Sequence, residues 1–343
     1  MQVSQPHVGR EGEEAWWVNR RLARGEPSGE EASEGEELED NTIKAVKISV
    51  TLPSKAKWLE GKERPGKWEE RLEVYRERKA RVSSVCREYG LGGFQEEGEA
   101  GGSREYRDML RRFPWPPEKS LMYEAKWHLL YCWIHKVAST SWSRVFLQLA
   151  GQQVPLSRSH EATQRFSPTS TLLPTAISTS LVFTIVRHPF ERLVSAYRDK
   201  FELARKSAYV YSHYSPKMGG QGRPSFRQFV DYLLEEPVEQ YNDHWVPYWL
   251  HCHLCQMEYD VIGKLETLEE DMAFIGEKSG LASTNISLPW ANRRRSGEQD
   301  SLHYWAQLDL DRTRRLYSVY RLDFLMFGYS ALPYFQLWGQ GAP

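Results

Sequence analysis

The stretch from Leu129 to Gly151, LLYCWIHKVASTSWSRVFLQLAG, constrains this chain most. It begins with an apolar run of high β propensity, 129–134, and continues into a short basic turn rich in hydroxyl groups. Helical spacing then follows in four apolar residues, Trp142, Val145, Phe146 and Leu149. A strand, a small polar turn and a helix direct backbone N–H groups at an anion. The stretch therefore predicts a phosphate or sulfate cradle, to which Lys136 adds a positive charge.

A second strand–helix unit follows along the chain. Residues 181–186, LVFTIV, predict a buried strand that ends at Arg187, and a helix runs on from Phe190. Pro189 suits the first helical turn, where its missing N–H has no partner to lose. Two such units in succession predict an α/β fold with a parallel sheet.

Neither unit fits a nucleoside triphosphatase. The G-x-x-x-x-G-K-[ST] loop is absent. An Asp that helps to hold Mg²⁺ usually ends the second strand of such enzymes, whereas here Arg187 stands there and attracts another anion. The two cationic strand ends predict a ligand with phosphates at two places, bound without a metal.

Composition divides the rest of the chain. Residues 1–40 carry four basic and eleven acidic side chains, which leaves a net charge of about +6 on the remainder. We predict an acidic disordered leader, a helical stem with its linker, a main domain and a short tail, at 1–56, 57–120, 121–335 and 336–343. No apolar run is long enough to span a membrane, and no signal peptide is visible, so this sequence predicts a soluble chain.

Further elements are predicted from periodicity and capping residues. A charged, largely solvated helix is predicted at Trp68–Tyr89, packed along one edge, with Leu72, Tyr75, Val82 and Cys86 as candidate buried positions. Residues 205–224 are expected to be a loop. A strand is predicted at Tyr259–Gly263. Three more helices are predicted, at Ser225–Leu234, Leu268–Glu277 and Asp309–Phe327.

The cysteines are Cys86, Cys132, Cys252 and Cys255, which allow three disulfide pairings that spacing cannot distinguish. The Cys252-x-x-Cys255 pair makes a poor zinc site, because no second pair accompanies it. An Asn285-Ile286-Ser287 sequon is compatible with a secretory lumen.

Several motifs resemble those of the Golgi carbohydrate sulfotransferases of the chondroitin/dermatan 4-O and HNK-1 type. In chain order they are HKVASTSWSR (135–144), RHPFERLVSAYRDKF (187–201), YNDHWVPYWLHCHLC (241–255), YDVIGKLETLEED (259–271) and LYSVYRLDFLMFGY (316–329). The resemblance extends from about Val85 to Tyr329. It implies an α/β, P-loop-like sulfotransferase fold with a central parallel sheet flanked by helices.

The resemblance also implies how the donor 3′-phosphoadenosine 5′-phosphosulfate is bound. The 5′-phosphosulfate would be held by Lys136 and the residues that follow it, Val137, Ala138, Ser139, Thr140, Ser141 and Trp142. Lys136 would in addition stabilise the leaving group as a catalytic residue. Arg187 and Ser195 would hold the 3′-phosphate, with Arg192 assisting and one residue of Arg293–Arg295 closing over the nucleotide. No metal is expected.

Transfer to a sugar hydroxyl needs a general base, and histidine has a suitable pKa. We predict His244 as that base, because it stands in the YNDHW block between aromatic residues. His135, which replaces the proline usual beside the lysine, is the alternative. His188 replaces an acidic residue common in the family, and the residues alone assign it no role.

The predicted reaction is transfer to the 4-hydroxyl of N-acetylgalactosamine in chondroitin or dermatan. KVASTS also resembles the loop of uronyl and heparan 2-O-sulfotransferases, and a non-catalytic glycan-binding homologue is a further alternative. The expected partner is a glycosaminoglycan or glycoprotein glycan, with no nucleic acid. The family location is the Golgi lumen, where a membrane would be reached only through an anchor that this sequence lacks. There, structural disulfides are expected.

Overall fold

A computed structural model of the chain describes residues 68–91, 104–113, 118–152, 164–219, 222–284 and 298–339. Their centre is a sheet of four strands in the order β1-β2-β3-β4, formed by β1 (Leu121–Glu124), β2 (Leu129–Cys132), β3 (Leu181–Val186) and β4 (Val261–Lys264). β1 is antiparallel to β2, whereas β2, β3 and β4 run parallel. All six residues of β3 are buried, as the continuous apolar run predicts.

Helices precede, connect and follow the strands. The helices before β3 are α1 (Glu69–Glu88), α2 (Arg104–Arg111), α3 (Ser139–Leu149) and α4 (Leu173–Thr179). Those between β3 and β4 are α5 (Pro189–Tyr197), α6 (Tyr209–Tyr214), α7 (Phe226–Glu235) and α8 (Tyr248–His251). After β4 come α9 (Leu268–Lys278), α10 (Glu298–Trp305), α11 (Leu310–Phe327) and α12 (Leu332–Phe335). The predicted α/β fold with a central, mostly parallel sheet is confirmed. None of the described helices is long and apolar enough to span a membrane.

Local signals place most of these elements within a few residues of their predicted bounds. Ser225 caps α7 through a capping box with Gln228, and Asp309 caps α11 by accepting a hydrogen bond from the backbone N–H of Arg312. Pro189 opens α5 at its first turn. The prediction of a loop at 205–224 is wrong, because this stretch contains α6. The antiparallel strand β1 was not predicted.

Helix α1 packs against the core through Tyr75, Val82, Val85 and Cys86. Tyr75, Val82 and Cys86 are three of the four predicted buried positions, and the fourth, Leu72, is half-buried against the core. Beside it, the fully buried carboxylate of Asp271 in α9 accepts hydrogen bonds from Arg71 (2.9 Å), Tyr75 (2.7 Å) and Arg78 (3.3 Å). A buried charge needs such partners. Helix α1 therefore shares the buried core of the strands and of α9.

The same carboxylate also fixes the end of β4, because its second oxygen accepts from the backbone N–H of Lys264 at 2.7 Å. Gly263 allows this approach. A Cβ at that position would stand 2.5 Å from the side chain of Ile185 and 3.3 Å from Asp271. The predicted leader, the sequon at Asn285 and the run Arg293–Arg295 lie outside the described residues.

Candidate functional site

The loop between β2 and α3 contains two residues other than glycine with positive φ angles. Lys136 (φ 74°) and Ala138 (φ 67°) both adopt left-handed conformations, which are uncommon for residues other than glycine. Such strained residues cluster at functional sites, and alternating backbone conformations of this kind form concave nests of N–H groups. Helix α3 begins directly afterwards at Ser139, and its cap residue Ala138 supplies no side-chain acceptor. The helix N-terminus therefore faces the loop without a built-in anionic cap.

The hydroxyl residues of this loop lie in the first turn of α3. Ser139 and Ser141 are buried in the first turn of α3, and Thr140 is half-buried between them. Val137 and Trp142 are fully buried, and the Trp142 ring packs against Phe183 with centroids 4.6 Å apart. These two side chains belong to the core, so only their backbone groups can reach an anion.

Lys136 is the cation of the cradle and forms an ion pair with Asp199. Its ammonium lies 3.1 Å from a carboxylate oxygen of Asp199, which also contacts Lys200 at 3.2 Å. Asp199 stands in a π-helical turn, Arg198–Glu202, that continues α5. Burial lowers the pKa of Lys136 from its ordinary value, and Asp199 opposes that shift. Burial raises the pKa of Asp199, but Lys136 and Lys200 reverse this, so that it ends below its usual value.

Arg187 lies at the neighbouring strand end. Because β2 and β3 are parallel and in register, Lys136 and Arg187 follow the same edge of the sheet. The Arg187 guanidinium is only 6% exposed and pairs with Glu191 at 2.9 Å. Its backbone N–H and carbonyl both contact the Tyr248 hydroxyl at 3.2 Å. Ser195 is half-buried two turns further along α5.

His188 has a structural position at the start of α5. Its Nδ1 accepts from the backbone N–H of Phe190, so its Nε2 carries the proton and donates to the Ser330 carbonyl at 3.0 Å. A backbone N–H can only donate, and this assigns the tautomer. The imidazole thus caps the helix and ties it to the segment after α11.

Each of the three guanidinium nitrogens of Arg192 donates a hydrogen bond to a backbone carbonyl. The guanidinium is 1% exposed and bonds the carbonyls of His135 (3.2 Å), Val246 (2.6 Å) and Asp243 (3.1 Å). It also lies over the Tyr248 ring, 4.5 Å from its centroid. With its donors used in this way, Arg192 joins the loop of Lys136 to the segment of His244, a role that the sequence did not suggest.

His244 lies in the site as a neutral, oriented imidazole. Asn242 Oδ1 accepts from the backbone N–H of His244 at 3.1 Å and also contacts its Nδ1. The first bond identifies that atom as the amide oxygen, an acceptor only, so Nδ1 is protonated and Nε2 retains its lone pair. Burial first, then His135 and the nearby cations, holds the pKa of His244 well below its usual value.

Two disulfides secure the segment that carries His244. Cys132 at the end of β2 bonds Cys252, and Cys86 of α1 bonds Cys255. The two cysteines of the C-x-x-C pair thus have different partners, which settles the pairing that the sequence left open. Asp323 of α11 adds a further attachment by accepting from the backbone N–H groups of Tyr248 (2.9 Å) and Trp249 (3.0 Å). Burial raises the pKa of Asp323 to about 7. Among the described residues, no cluster of His, Cys, Asp and Glu is arranged to hold a metal ion.

These observations define a class: an α/β protein with an anion cradle after one parallel strand and an arginine after the next. The family model described as "Sulfotransferase family" matches residues 119–330, and the chain belongs to this family. It is a glycan sulfotransferase, and the family takes its sulfuryl group from 3′-phosphoadenosine 5′-phosphosulfate.

Curated relatives agree with this membership. Mouse (Mus musculus) carbohydrate sulfotransferase 11 is 30% identical over 245 residues, which cover 64% of this chain and 69% of the relative. Carbohydrate sulfotransferase 14 of Danio rerio is 33% identical over 222 residues, 58% and 59% of the two chains. Human carbohydrate sulfotransferase 8 is 30% identical over 299 residues, 77% and 65%. No solved structure matches the chain significantly.

Proposed function

We propose that this protein transfers the sulfuryl group of 3′-phosphoadenosine 5′-phosphosulfate to the 4-hydroxyl of N-acetylgalactosamine in chondroitin or dermatan. One observation carries the proposal. The anion cradle that contains Lys136 lies beside His244, which is neutral and has a free lone pair on Nε2. His135 connects the two, because it precedes Lys136 in the chain and its ring stacks on His244. A cradle alone suits any phosphate, whereas a cradle beside an oriented base suits group transfer to a hydroxyl.

On the donor side, the loop 136–142 binds the 5′-phosphosulfate through its backbone N–H groups and hydroxyls. Lys136 stabilises the negative charge that develops on the bridging oxygen as it leaves with the nucleotide 5′-phosphate. Arg187 and Ser195 hold the 3′-phosphate. Arg192 acts as a positioning residue, because its guanidinium already bonds three carbonyls of the site.

On the acceptor side, His244 removes the proton of the sugar hydroxyl. The hydroxyl oxygen forms its bond to sulfur while the bond from sulfur to the bridging oxygen breaks, and the proton passes to Nε2 of His244. The products are the sulfated sugar and 3′-phosphoadenosine 5′-phosphate. The low pKa of His244 keeps Nε2 unprotonated at neutral pH, which a general base requires.

The acceptor and the compartment follow from different observations. The motifs of the chain resemble the chondroitin/dermatan 4-O type over most of the domain, which favours this acceptor over a uronyl 2-hydroxyl. The two disulfides require an oxidising compartment, and this supports a location in the Golgi lumen.

The test is transfer of labelled sulfate from the donor to chondroitin, dermatan and desulfated heparan, followed by disaccharide analysis of the products. We expect label on the 4-position of N-acetylgalactosamine. Lys136→Ala should reduce kcat by roughly 10²- to 10³-fold, the usual effect of removing one transition-state donor. Lys126→Ala, an exposed lysine in the turn between β1 and β2, is the matched control and should leave kcat unchanged.

Three results would contradict the proposal in different ways. Label on a uronyl 2-hydroxyl would assign the 2-O reaction instead. Donor binding without transfer to any of the three glycans would indicate a glycan-binding homologue. Sulfate transfer by Lys136→Ala at the wild-type rate would rule out the proposed role of Lys136 in the mechanism.

A further inference from the structure

The segment 203–218, which contains α6, has an unusual surface. It holds Arg205, Lys206 and Lys217 but no Asp or Glu. Arg205 and Lys206 are exposed and form no ion pair among the described residues, whereas Lys217 pairs with Glu236 at 3.3 Å. Tyr209 is 65% exposed, which is uncommon for so large a ring. Exposed aromatic rings beside unneutralised cations form a surface for an anionic ligand with flat apolar faces.

A chain of contacting side chains leads from this surface to the base. The Tyr209 ring is stacked on His213 with centroids 5.6 Å apart and planes within 17°, and His213 contacts Tyr214 at 4.6 Å. The Tyr214 hydroxyl lies 3.5 Å from Nδ2 of Asn242, the residue that orients His244. The exposed rings are therefore continuous with the transfer site.

We propose that Tyr209, His213, Arg205 and Lys206 form a binding surface for the acceptor chain, which we call the acceptor platform. Sugar rings of the acceptor stack on Tyr209 and His213, and uronic acid carboxylates pair with Arg205 and Lys206. The ligand is thus a glycan with regularly spaced carboxylates. This inference rests on the proposed function, since it specifies how the acceptor of that same site is recognised.

Charge complementarity favours a uronate-containing chain over a neutral glycan. A neutral acceptor would gain stacking on the rings but would leave both cations without partners. A polyanion satisfies them and is steered towards the site by their field. Because both cations are exposed, the gain depends on ionic strength, as exposed charges are screened within about 8 Å at physiological salt.

The experiment compares chondroitin with carboxyl-reduced chondroitin, which has the same sugar backbone without the negative charges. Binding of each glycan and KM for transfer are measured for the wild type and for Arg205→Ala/Lys206→Ala. We expect the wild type to prefer chondroitin, and the double variant to raise KM for chondroitin roughly tenfold while leaving KM for the reduced glycan unchanged. KM for the donor should not change.

Matched variants separate the platform from general charge. Arg76→Ala/Arg87→Ala removes the same charge from exposed positions of α1 and should leave both glycans unaffected. Tyr209→Ala should weaken binding of both glycans, and Tyr209→Phe should restore it, because the stacking face is retained.

Two outcomes would overturn the platform. One is an Arg205→Ala/Lys206→Ala variant that still prefers chondroitin to its reduced form as the wild type does. The other is an equal effect of the α1 control. Chondroitin binding that depends on Arg205 and Lys206, without transfer at the 4-hydroxyl, would support the platform and overturn the proposed function.

Discussion

The imidazole rings of His135 and His244 lie face to face, with centroids 3.7 Å apart and planes within 11°. A proton on His244 would place a positive charge against His135 and near Lys136, Lys200 and Arg192. Burial and these neighbours together hold its pKa well below the usual value of 6.5. The stacked pair therefore favours the neutral form of His244 beside these cations.

The first prediction concerns the acid limb of the pH profile. We expect the acid limb of the kcat/KM profile of the wild type to lie below pH 6.5, because His244 stays neutral to a lower pH than an ordinary histidine. His135→Phe keeps a stacking ring and removes one titratable neighbour, so the pKa of His244 should rise and the limb should move to higher pH. Initial rates of label transfer measure this. His303→Phe, at an exposed histidine, is the control.

The same shift has a consequence for stability. A lowered folded-state pKa means that the unfolded chain binds the proton more readily. The contribution of His244 to the free energy of unfolding is complete above pH 6.5 and is lost as the pH falls towards its folded-state pKa. In His135→Phe, the free energy of unfolding should fall less as the pH is lowered below 6.5, as measured by denaturant titration. An unchanged acid limb and an unchanged loss would contradict the role of His135.

The second prediction concerns Asn242, which orients His244. Asn242→Asp keeps an acceptor for Nδ1 but adds a negative charge, so the pKa of His244 should rise and the acid limb should move upward. Asn242→Leu removes the acceptor and should lower kcat by roughly 10²-fold, within the usual contribution of a general base. Both are measured as pH profiles of kcat. Donor KM should stay constant, and a change confined to donor KM would argue against an orienting role.

The third prediction concerns the ion pair between Lys136 and Asp199. The Asp199 carboxylate is 49% exposed and competes with an anionic ligand for the Lys136 ammonium. Asp199→Asn should tighten binding of 3′-phosphoadenosine 5′-phosphate by roughly two- to fivefold. The effect is small because the ion pair between Lys136 and Asp199 is half-exposed, and such pairs are weak. Calorimetric titration at two salt concentrations measures this. Asp311→Asn, 77% exposed on α11, is the charge-matched control. Weaker binding by Asp199→Asn would show that the carboxylate supports the site.

The fourth prediction separates the two disulfides. Removing either pair by double alanine substitution should reduce the free energy of unfolding by about 2–5 kcal/mol. Cys132→Ala/Cys252→Ala should in addition lower kcat, because that bond joins the strand before the cradle to the segment of His244. Cys86→Ala/Cys255→Ala should affect kcat less, because the bond that it removes joins Cys255 to α1 and not to the strand before the cradle. Thermal unfolding and transfer rates are compared, and equal kcat values would contradict the distinction.

Sequence reasoning succeeded for elements that local signals define. The bounds of β3 match the prediction, because a six-residue apolar run between turn residues has few alternatives. Strand β1 was missed because it is four residues long, lies at the sheet edge and pairs antiparallel to β2. The buried positions Tyr75, Val82 and Cys86 of helix α1 were predictable from their apolar spacing. The contact with Asp271 was not, because Asp271 is far away in sequence.

In the site, too, features that depend on local sequence were predictable and contacts between distant residues were not. The positions of Lys136 and Arg187 at one edge of the sheet were predictable, because each follows an apolar run that forms a parallel strand. Asn242 was within reach, since it stands two residues before His244 in the same block. The contacts of Asp199 and Arg192 were not predicted. A π-helical turn positions Asp199 beside Lys136, and Arg192 bonds carbonyls that are distant in sequence. The disulfide pairing depends on separations of 169 and 120 residues, which no local pattern encodes.

The convergence of both disulfides on residues 252–255 has a consequence for biosynthesis. Each bond joins this short stretch to a cysteine that is synthesised far earlier, so neither can close until the stretch itself has entered the oxidising compartment. Contacts of such long sequence separation form late and slowly. β1, β2 and β3 precede this stretch in the chain, so oxidation joins the segment of His244 to strands that are synthesised before it. Placement of His244 against the sheet and formation of the two disulfides therefore take place together, after residues 252–255 have been synthesised.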